Sequence, residues 1–365
     1  MKIVVTGTRG MPNILGGIET HCEELYPRLA DLGCDVTVVR RKSFVKETPP
    51  HVEYRGVKFK DLKAPAVIGL ETVVHTLKSV CYARRAKAAL VHIHAIGPAV
   101  TIPLAKLLRL KVVVTHHGPD YERRKWGWFA RLVLKTGEYF AARWADEIIV
   151  ISTLIRQSLK DKYGCERTHL IYNGVNPQAA ATGSDYVNSL GLVPGKYVLA
   201  AGRFVEEKNF DRLIRAYASI SPSGYRLVIA GDADHQTAYA KTLKKLAGEH
   251  NVLLPGMIKG AALQELYAHA GLFVLPSSHE GLPITLLEAM SHGTDVLVSD
   301  IPANVEVGLP DDCYFHYTED CSDSLREAIE AKLRQPAGKR TYDLSRYDWN
   351  VIARKTLEVY RSAAK

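Results

Sequence analysis

The sequence predicts two open α/β domains, each built on a parallel sheet with helical crossovers. Three observations predict this. The chain is 365 residues long, which exceeds one compact core and suits two domains of ordinary size. Short β-branched apolar runs alternate with helix-length amphipathic stretches, and uninterrupted apolar runs are what strands buried on both faces require. The pattern breaks between Ile171 and Lys196, where Asn173-Gly174, Pro177, an Ala/Thr/Gly/Ser stretch and Pro194-Gly195 occur. That break reads as a linker over 173–195. It separates a domain over 1–172 from one over 196–346, with a closing helix over 347–365.

Taken in order, the first domain offers strands at 3–6, 36–40, 90–93, 112–115 and 147–151. The second offers them at 197–200, 226–230, 252–254, 272–275 and 295–298. The segment 19–32 places Cys22, Leu25, Leu29 and Leu32 at helical spacing, as the closing segment does Val351, Ile352, Leu357 and Tyr360. Ligands of such sheets bind beyond the carboxyl ends of the strands, so functional residues are expected just after them.

Apolar residues make up 47% and charged residues 24%, which excludes a disordered tail, a collagen-like chain and a disulfide mini-scaffold. The formal net charge of +9 is uneven: 1–172 hold 28 basic and 16 acidic residues, against 20 and 23 in the remainder. A front half of +12 and a back half of −3 suggest different partners. Six cysteines without a CxxC spacing read as reduced thiols in a cytoplasmic protein. The first residues lack the pattern of a signal peptide, and the apolar stretch 95–105 is too short to span a bilayer.

Four motifs follow strands. The first, Gly7-Thr8-Arg9-Gly10 through Gly16-Gly17-Ile18-Glu19, precedes a helix and lets a ligand approach backbone N–H groups. It is not G-x-G-x-x-G, and Arg40-Arg41 stand where a NAD-binding unit places an acid. The second is His116-His117-Gly118-Pro119-Asp120, with His92-Ile93-His94 one strand earlier. His92 and His94 share a strand face, whereas His116 and His117 point apart. No acid or cysteine completes a metal spacing there, so His117 reads as a loop histidine lining a polar cleft.

The third motif, Gly202-Arg203 to Lys208-Asn209, brackets a short loop with two cations suited to a diphosphate. The fourth is Glu280-Gly281-Leu282-Pro283-Ile284-Thr285-Leu286-Leu287-Glu288, where Pro283 reads as a first-turn proline. A helix start between two carboxylates offers amides to an anion and acceptors to sugar or ribose hydroxyls. Asp232-Ala233-Asp234 matches a metal-holding D-x-D, but its turn after a buried strand reads as capping the next helix. No metal and no cofactor are expected.

Five of these features, in this order, resemble the retaining GT-B glycosyltransferases of family 4. Glu280 to Glu288 resembles the family's E-x7-E, Gly16-Gly17 its N-terminal loop and Thr115-His116-His117-Gly118 its T-x-H-G. Asn173-Gly174-Val175 resembles its hinge, and Gly202-Arg203…Lys208 its phosphate loop. Gly-Thr-Arg-Gly-Met-Pro and 119–126 look closest to a bacterial branch with rhamnosyltransferase-like members. The resemblance implies two Rossmann-like domains facing across a cleft, with the C-terminal helix crossing back to the first.

It further implies a donor held mainly by the second domain: Arg203 and Lys208 on the diphosphate, Glu288 on the ribose, Glu280 on the sugar, with Gly281, Leu282, Pro283 and Ile284 at the helix start. Gly16 and Gly17 would admit the phosphate, and His117 would approach the anomeric centre. His94, Asp120, Arg123 and Arg124 are acceptor-side candidates. The donor is expected to be UDP-, GDP- or dTDP-linked, and the acceptor a growing glycan or polyprenyl-linked glycan. The basic half suggests an anionic membrane surface, on the inner face of the cell membrane. Alternatives are a nucleotide-sugar epimerase or phosphorylase of the same fold, an NADP-dependent oxidoreductase using Arg40 and Arg41, and a non-catalytic carbohydrate-binding module. Nucleic-acid binding is disfavoured because no aromatic platform accompanies the charge.

Overall fold

The computed structural model describes residues 1–14, 16–45, 50–65, 70–122, 126–177, 183–220, 224–233, 237–318, 322–335 and 338–365. Arg123, Arg124, Asp234 and Cys321 lie outside these. The chain forms two compact units, Met1–Gly174 with Arg346–Lys365, and Val175–Ser345.

The first domain holds eight strands: β1 (Lys2–Thr6), β2 (Asp35–Arg41), β3 (Glu53–Tyr54), β4 (Val57–Leu62), β5 (Leu90–His94), β6 (Lys111–His116), β7 (Glu147–Val150) and β8 (Thr168–Leu170). Their order is β3-β4-β2-β1-β5-β6-β7-β8, parallel except for the β3–β4 pair. The strand order reverses between β1 and β5, and such a switch point opens a crevice at the carboxyl edge. The helix Gly17–Asp31 packs Cys22, Leu25, Tyr26 and Leu29 into the core. Leu32, expected in that stripe, instead terminates the helix and is exposed.

The second domain holds β9 (Tyr197–Ala201), β10 (Arg226–Ala230), β11 (Leu272–Leu275), β12 (Val296–Ser299) and β13 (Tyr314–Phe315), ordered β10-β9-β11-β12-β13 and all parallel. Its switch point lies between β9 and β11. The expected strand at 252–254 is reduced to a single bridge between Val228 and Leu253. Part of the expected linker is folded, because a short helix Asp185–Ser189 buries Val187 and Glu265 accepts the Val187 N–H at 2.8 Å.

The C-terminal helix, Trp349–Ala364, returns to the first domain. Asp348 caps it by accepting from the Asn350 N–H. Trp349, Ile352, Leu357 and Tyr360 are buried in the same core as the Gly17–Asp31 helix. No described helix is long and apolar enough to cross a membrane.

Candidate active site

At the switch point of the second domain, the loop after β9 meets the loop after β11. Gly202 starts the first loop with φ +154°, and a side chain there would press on the Lys208 stem. Glu207 O accepts from the Ser278 N–H at 2.9 Å, and Asn209 Nδ2 donates to Pro276 O at 2.9 Å. These bonds clamp one loop on the other. Lys208 Nζ and Glu280 Oε1 consequently form an ion pair at 2.6 Å, with both side chains largely buried. Arg203 lies half-buried at the start of the same loop.

The helix Ile284–Ser291 begins beside this pair in sequence. Pro283 is its N-cap, one position earlier than the expected first turn, and supplies no side-chain cap. The first amides of this helix therefore lack an intrahelical acceptor. The Thr285 hydroxyl is also buried without a hydrogen-bond partner among the described residues. Donor groups at the positive end of a helix dipole suit an anion. Glu288 accepts from Tyr267 Oη at 3.0 Å. Burial and the Glu288 charge push the Tyr267 phenol well up, so it stays a donor. Tyr267 and the Thr285 hydroxyl are site groups that the sequence reading missed.

In the first domain, histidines gather at the carboxyl edge between β1, β5 and β6. His92 and His94 stack with ring centroids 4.3 Å apart, and His94 stacks on His117 at 5.2 Å. His94 Nδ1 lies 2.9 Å from His117 Nε2, and His92 Nε2 lies 2.7 Å from Thr115 Oγ1. Tyr26 and Tyr360 hydroxyls complete the row, at 2.5 Å from His94 Nε2 and 2.6 Å from His92 Nδ1 respectively. His21 stands edge-on to His117 and bonds Asn173 Oδ1 at 3.0 Å. All four ring nitrogens of His92 and His94 are spent, on His117 and on hydroxyls. Among the described residues no group of three or more His, Cys, Asp or Glu is placed to hold a metal ion.

His116 points the other way, as strand alternation requires. Its Nδ1 accepts from the Gly118 N–H, so its Nε2–H donates to Glu138 at 2.9 Å. Burial opposes the Glu138 charge, but bonds from His116 and Tyr163 hold that carboxyl below its usual value. This pair ties β6 to the helix Trp128–Trp144. His94, an expected acceptor contact, is fully buried, and its ring neighbour His117 is half-buried. Asp120 begins a single 3₁₀ turn just beyond.

Gly16 is the N-cap of the first helix with φ +139°, and a Cβ there would lie 2.1 Å from Glu19 Oε2. Glu19 is buried and accepts from Thr8 Oγ1 at 3.1 Å and the Arg9 N–H at 3.0 Å. Gly16 thus lets Glu19 brace the first loop, while the space where a Gly17 side chain would sit is clear. Arg40 is fully buried, held by Asp61 at 2.7 and 3.0 Å and by His51 O at 2.9 Å. It is spent on the fold, which removes half of the NADP reading. Asp232 pairs with Lys244 at 2.8 Å, and Thr237, not an acid, caps the following helix.

Burial pulls His21 down to about 4 and His92 to about 3, and holds His94 and His117 well below the usual 6.5. All four are neutral in the fold and bind protons once unfolded. Because the unfolded chain then binds more protons, stability falls as pH drops through 6.5 toward 4.5. Each group contributes a slope of up to about 1.4 kcal/mol per pH unit between its two values. Thermal melts at pH 7.5, 6 and 5 should show a steadily lower Tm; a Tm constant over that range contradicts the neutral assignment.

Two Rossmann-like domains, with a C-terminal helix returning to the first and polar groups at each switch point, define the GT-B class of glycosyltransferase. Residues 15–179 match the family model described as Glycosyltransferase Family 4, and residues 188–348 match Glycosyl transferases group 1. The chain is 26% identical to an uncharacterized glycosyltransferase of Methanocaldococcus jannaschii, over 100% of this chain and 98% of that one. Sucrose-phosphate synthase from Thermosynechococcus elongatus has the same fold, with a TM-score of 0.83 at 22% identity over 99% of this chain and 98% of that one. HepE of Anabaena, solved with UDP-glucose, gives 0.79 at 20% identity over 99% and 100%. This chain is a GT-B glycosyltransferase of the family 4 type, an enzyme of the hexosyltransferase class.

Proposed function

We propose that the enzyme moves a sugar from a nucleoside-diphosphate donor to a growing bacterial glycan, with retention of anomeric configuration and without a metal. The observation that carries this reading is the clamped Lys208–Glu280 pair at the switch point of the second sheet. Breaking the sugar C1–O bond leaves charge on the diphosphate. Lys208, Arg203 and the start of the helix Ile284–Ser291 can stabilise that charge without an ion. The acceptor oxygen then bonds C1 on the face the diphosphate leaves, and its proton passes to a phosphate oxygen. Glu280 is assigned to the sugar hydroxyls, Glu288 to the ribose, and His117 to the transferred sugar. That HepE holds UDP-glucose supports a nucleotide sugar as donor. The segment 119–126 supports the branch with rhamnosyltransferase-like members. The test is a thermal-shift panel of UDP-, GDP- and dTDP-sugars, followed by transfer assays with and without EDTA. A true donor raises Tm by linkage. A panel with no shift overturns the donor reading, and activity lost in EDTA and restored by Mn²⁺ or Mg²⁺ overturns metal independence.

The acceptor is proposed to lie at an anionic membrane, on the helix Trp128–Trp144. Leu134, Gly137, Glu138 and Ala141 are its buried side. At 100° per residue, Trp128, Leu132, Tyr139 and Arg143 fall opposite, and Trp128, Phe129, Leu132, Tyr139 and Trp144 are all exposed. Exposed Arg131, Lys135 and Arg143 flank them. Aromatics among cations suit a headgroup layer, and each cation contributes roughly 1 kcal/mol near an anionic surface. The protein should sediment with vesicles containing anionic lipid at low salt and be released as salt rises. The double substitution Trp128→Ser with Phe129→Ser should weaken that binding; equal recovery with neutral vesicles removes the membrane from the reading.

A further inference from the structure

The loop after β6 is braced from beneath by a buried carboxylate on the helix Trp128–Trp144. Resting on the assignment of His117 to the transferred sugar, we propose that this residue, Glu138, is a positioning residue for transfer. Through His116 and Tyr121 it fixes the loop on which His117 and Asp120 stand.

Burying a carboxylate is unfavourable unless donors offset the water it loses. Three donors meet this one. His116 Nε2–H reaches Oε1 at 2.9 Å, Tyr121 Oη lies 3.1 Å from both oxygens, and Tyr163 Oη donates to Oε2 at 2.8 Å. Burial pushes both phenols above their usual values, so each keeps its hydrogen, and Lys162 Nζ donates to the Tyr121 oxygen at 2.6 Å. His116 and Tyr121 lie on either side of His117 in the chain. Tyr163 instead ends the helix Thr153–Tyr163.

A backbone group fixes the direction of the His116 bonds. The Gly118 N–H can only donate, so His116 Nδ1 accepts from it at 3.1 Å and the ring hydrogen is on Nε2, facing the carboxylate. The Nδ1 bond closes a ring over 116–118 with His117 in the middle, and so restrains the backbone that aims the His117 side chain. Beyond it the Asp120 N–H donates to Gly118 O and the Glu122 N–H to Pro119 O, both at 2.9 Å, which carries the turn past Tyr121. The Tyr121 ring packs with Ile96 and Leu134, and Leu134 stands one helical turn before Glu138 on the same buried side. One helix therefore holds Tyr121 by its ring and by its hydroxyl. Gly137 admits that helix to the loop after β5, because a Cβ there would collide with Ile96 O.

The test combines transfer kinetics with peptide-resolved hydrogen exchange of the full-length protein. Glu138→Met keeps the length of the side chain and removes both acceptors. It should lower kcat by about tenfold or more, with donor KM within about twofold, and speed exchange in 116–122. Glu138→Gln removes the charge but can keep its oxygen at the Oε1 position for His116 and Tyr121, while its amide group donates to a turned Tyr163 hydroxyl. It should restore kcat to within about threefold of wild type, and slow exchange with it. Tyr163→Phe takes only the bond from the helix Thr153–Tyr163, and should lower Tm with kcat within about twofold. Should Glu138→Met fail to fold, Tyr121→Phe removes one loop bond and should lower kcat about three- to tenfold with faster exchange in 116–122. Wild-type exchange or wild-type kcat in Glu138→Met and Tyr121→Phe overturns the proposal. So does a loss of kcat in Glu138→Gln as deep as in Glu138→Met, which would assign the effect to charge, or one in Tyr163→Phe as deep as in Tyr121→Phe, which would assign it to the fold at large. Exchange is read without substrate, so it judges the brace even where no nucleotide sugar turns over, an outcome that would instead sink the chemistry assigned to His117.

Discussion

Replacing Lys208 or Arg203 with alanine is expected to lower kcat/KM for sugar transfer by about 10²-fold or more, the cost of losing a fixed electrostatic stabiliser. Both cations lie on the loop after β9, and Ser278 and Asn209 bonds hold that loop against the loop after β11. A cation held in place needs no reorganisation when the diphosphate leaves, so its loss falls on the chemical step. Lys208→Arg should recover little, because the slim four-carbon stem runs so close to Gly202 that a Cβ there would lie 3.3 Å from it. Lys244→Ala is the control. That lysine pairs with Asp232 in the same domain but is half exposed, and its loss should change transfer by less than about twofold. Steady-state kinetics with a saturating acceptor read this directly. Full activity in both Lys208→Ala and Arg203→Ala would mean that the diphosphate is neutralised elsewhere.

Much of this architecture was legible in the sequence because parallel strands buried on both faces leave long apolar runs. Strands β1, β5, β6, β9, β10 and β11 read that way, and the functional residues follow them. Short edge strands did not. Residues 53–54 and 168–170 pair at the margins of the first sheet, where little burial leaves little pattern. Two-residue periodicity correctly separated His116 from His117 and put His92 with His94. It did not reveal Tyr26 and Tyr360, whose bonds to His92 span 66 and 268 residues and exist only through the fold. Arg40 misled for a similar reason: its partners Asp61 and His51 lie on elements with no local signature. The pairing of Lys208 with Glu280, 72 residues apart, was likewise invisible, although each residue stood out alone.

That pairing sharpens what the two glutamates should do when removed. In the structure Glu280 occupies the ammonium that the diphosphate is proposed to need. A bound diphosphate must therefore take Lys208 from Glu280, and the freed carboxylate can turn to the sugar hydroxyls. Glu280→Ala deletes both a competitor for Lys208 and a like charge near the phosphate. Affinity for the free nucleoside diphosphate should rise by about three- to tenfold, as for losing a partly buried ion pair worth about 1 kcal/mol. The same variant should lose transfer, because the sugar hydroxyls then lose the carboxylate proposed to accept from them. Glu288→Ala should behave in the opposite way. Glu288 sits in the helix body, with Tyr267 orienting one of its oxygens. Removing it should weaken the free nucleoside diphosphate by about ten- to a hundredfold, the range for a hydrogen bond to a charged group. Calorimetric titration of each variant with the free diphosphate and with the sugar donor separates the two cases. Weakening of the free diphosphate by the same factor in both would mean that Glu280 grips the nucleotide and not the sugar. In the double variant Glu280→Ala with Lys208→Ala the gain should vanish, since it depends on the ammonium that Glu280 had covered.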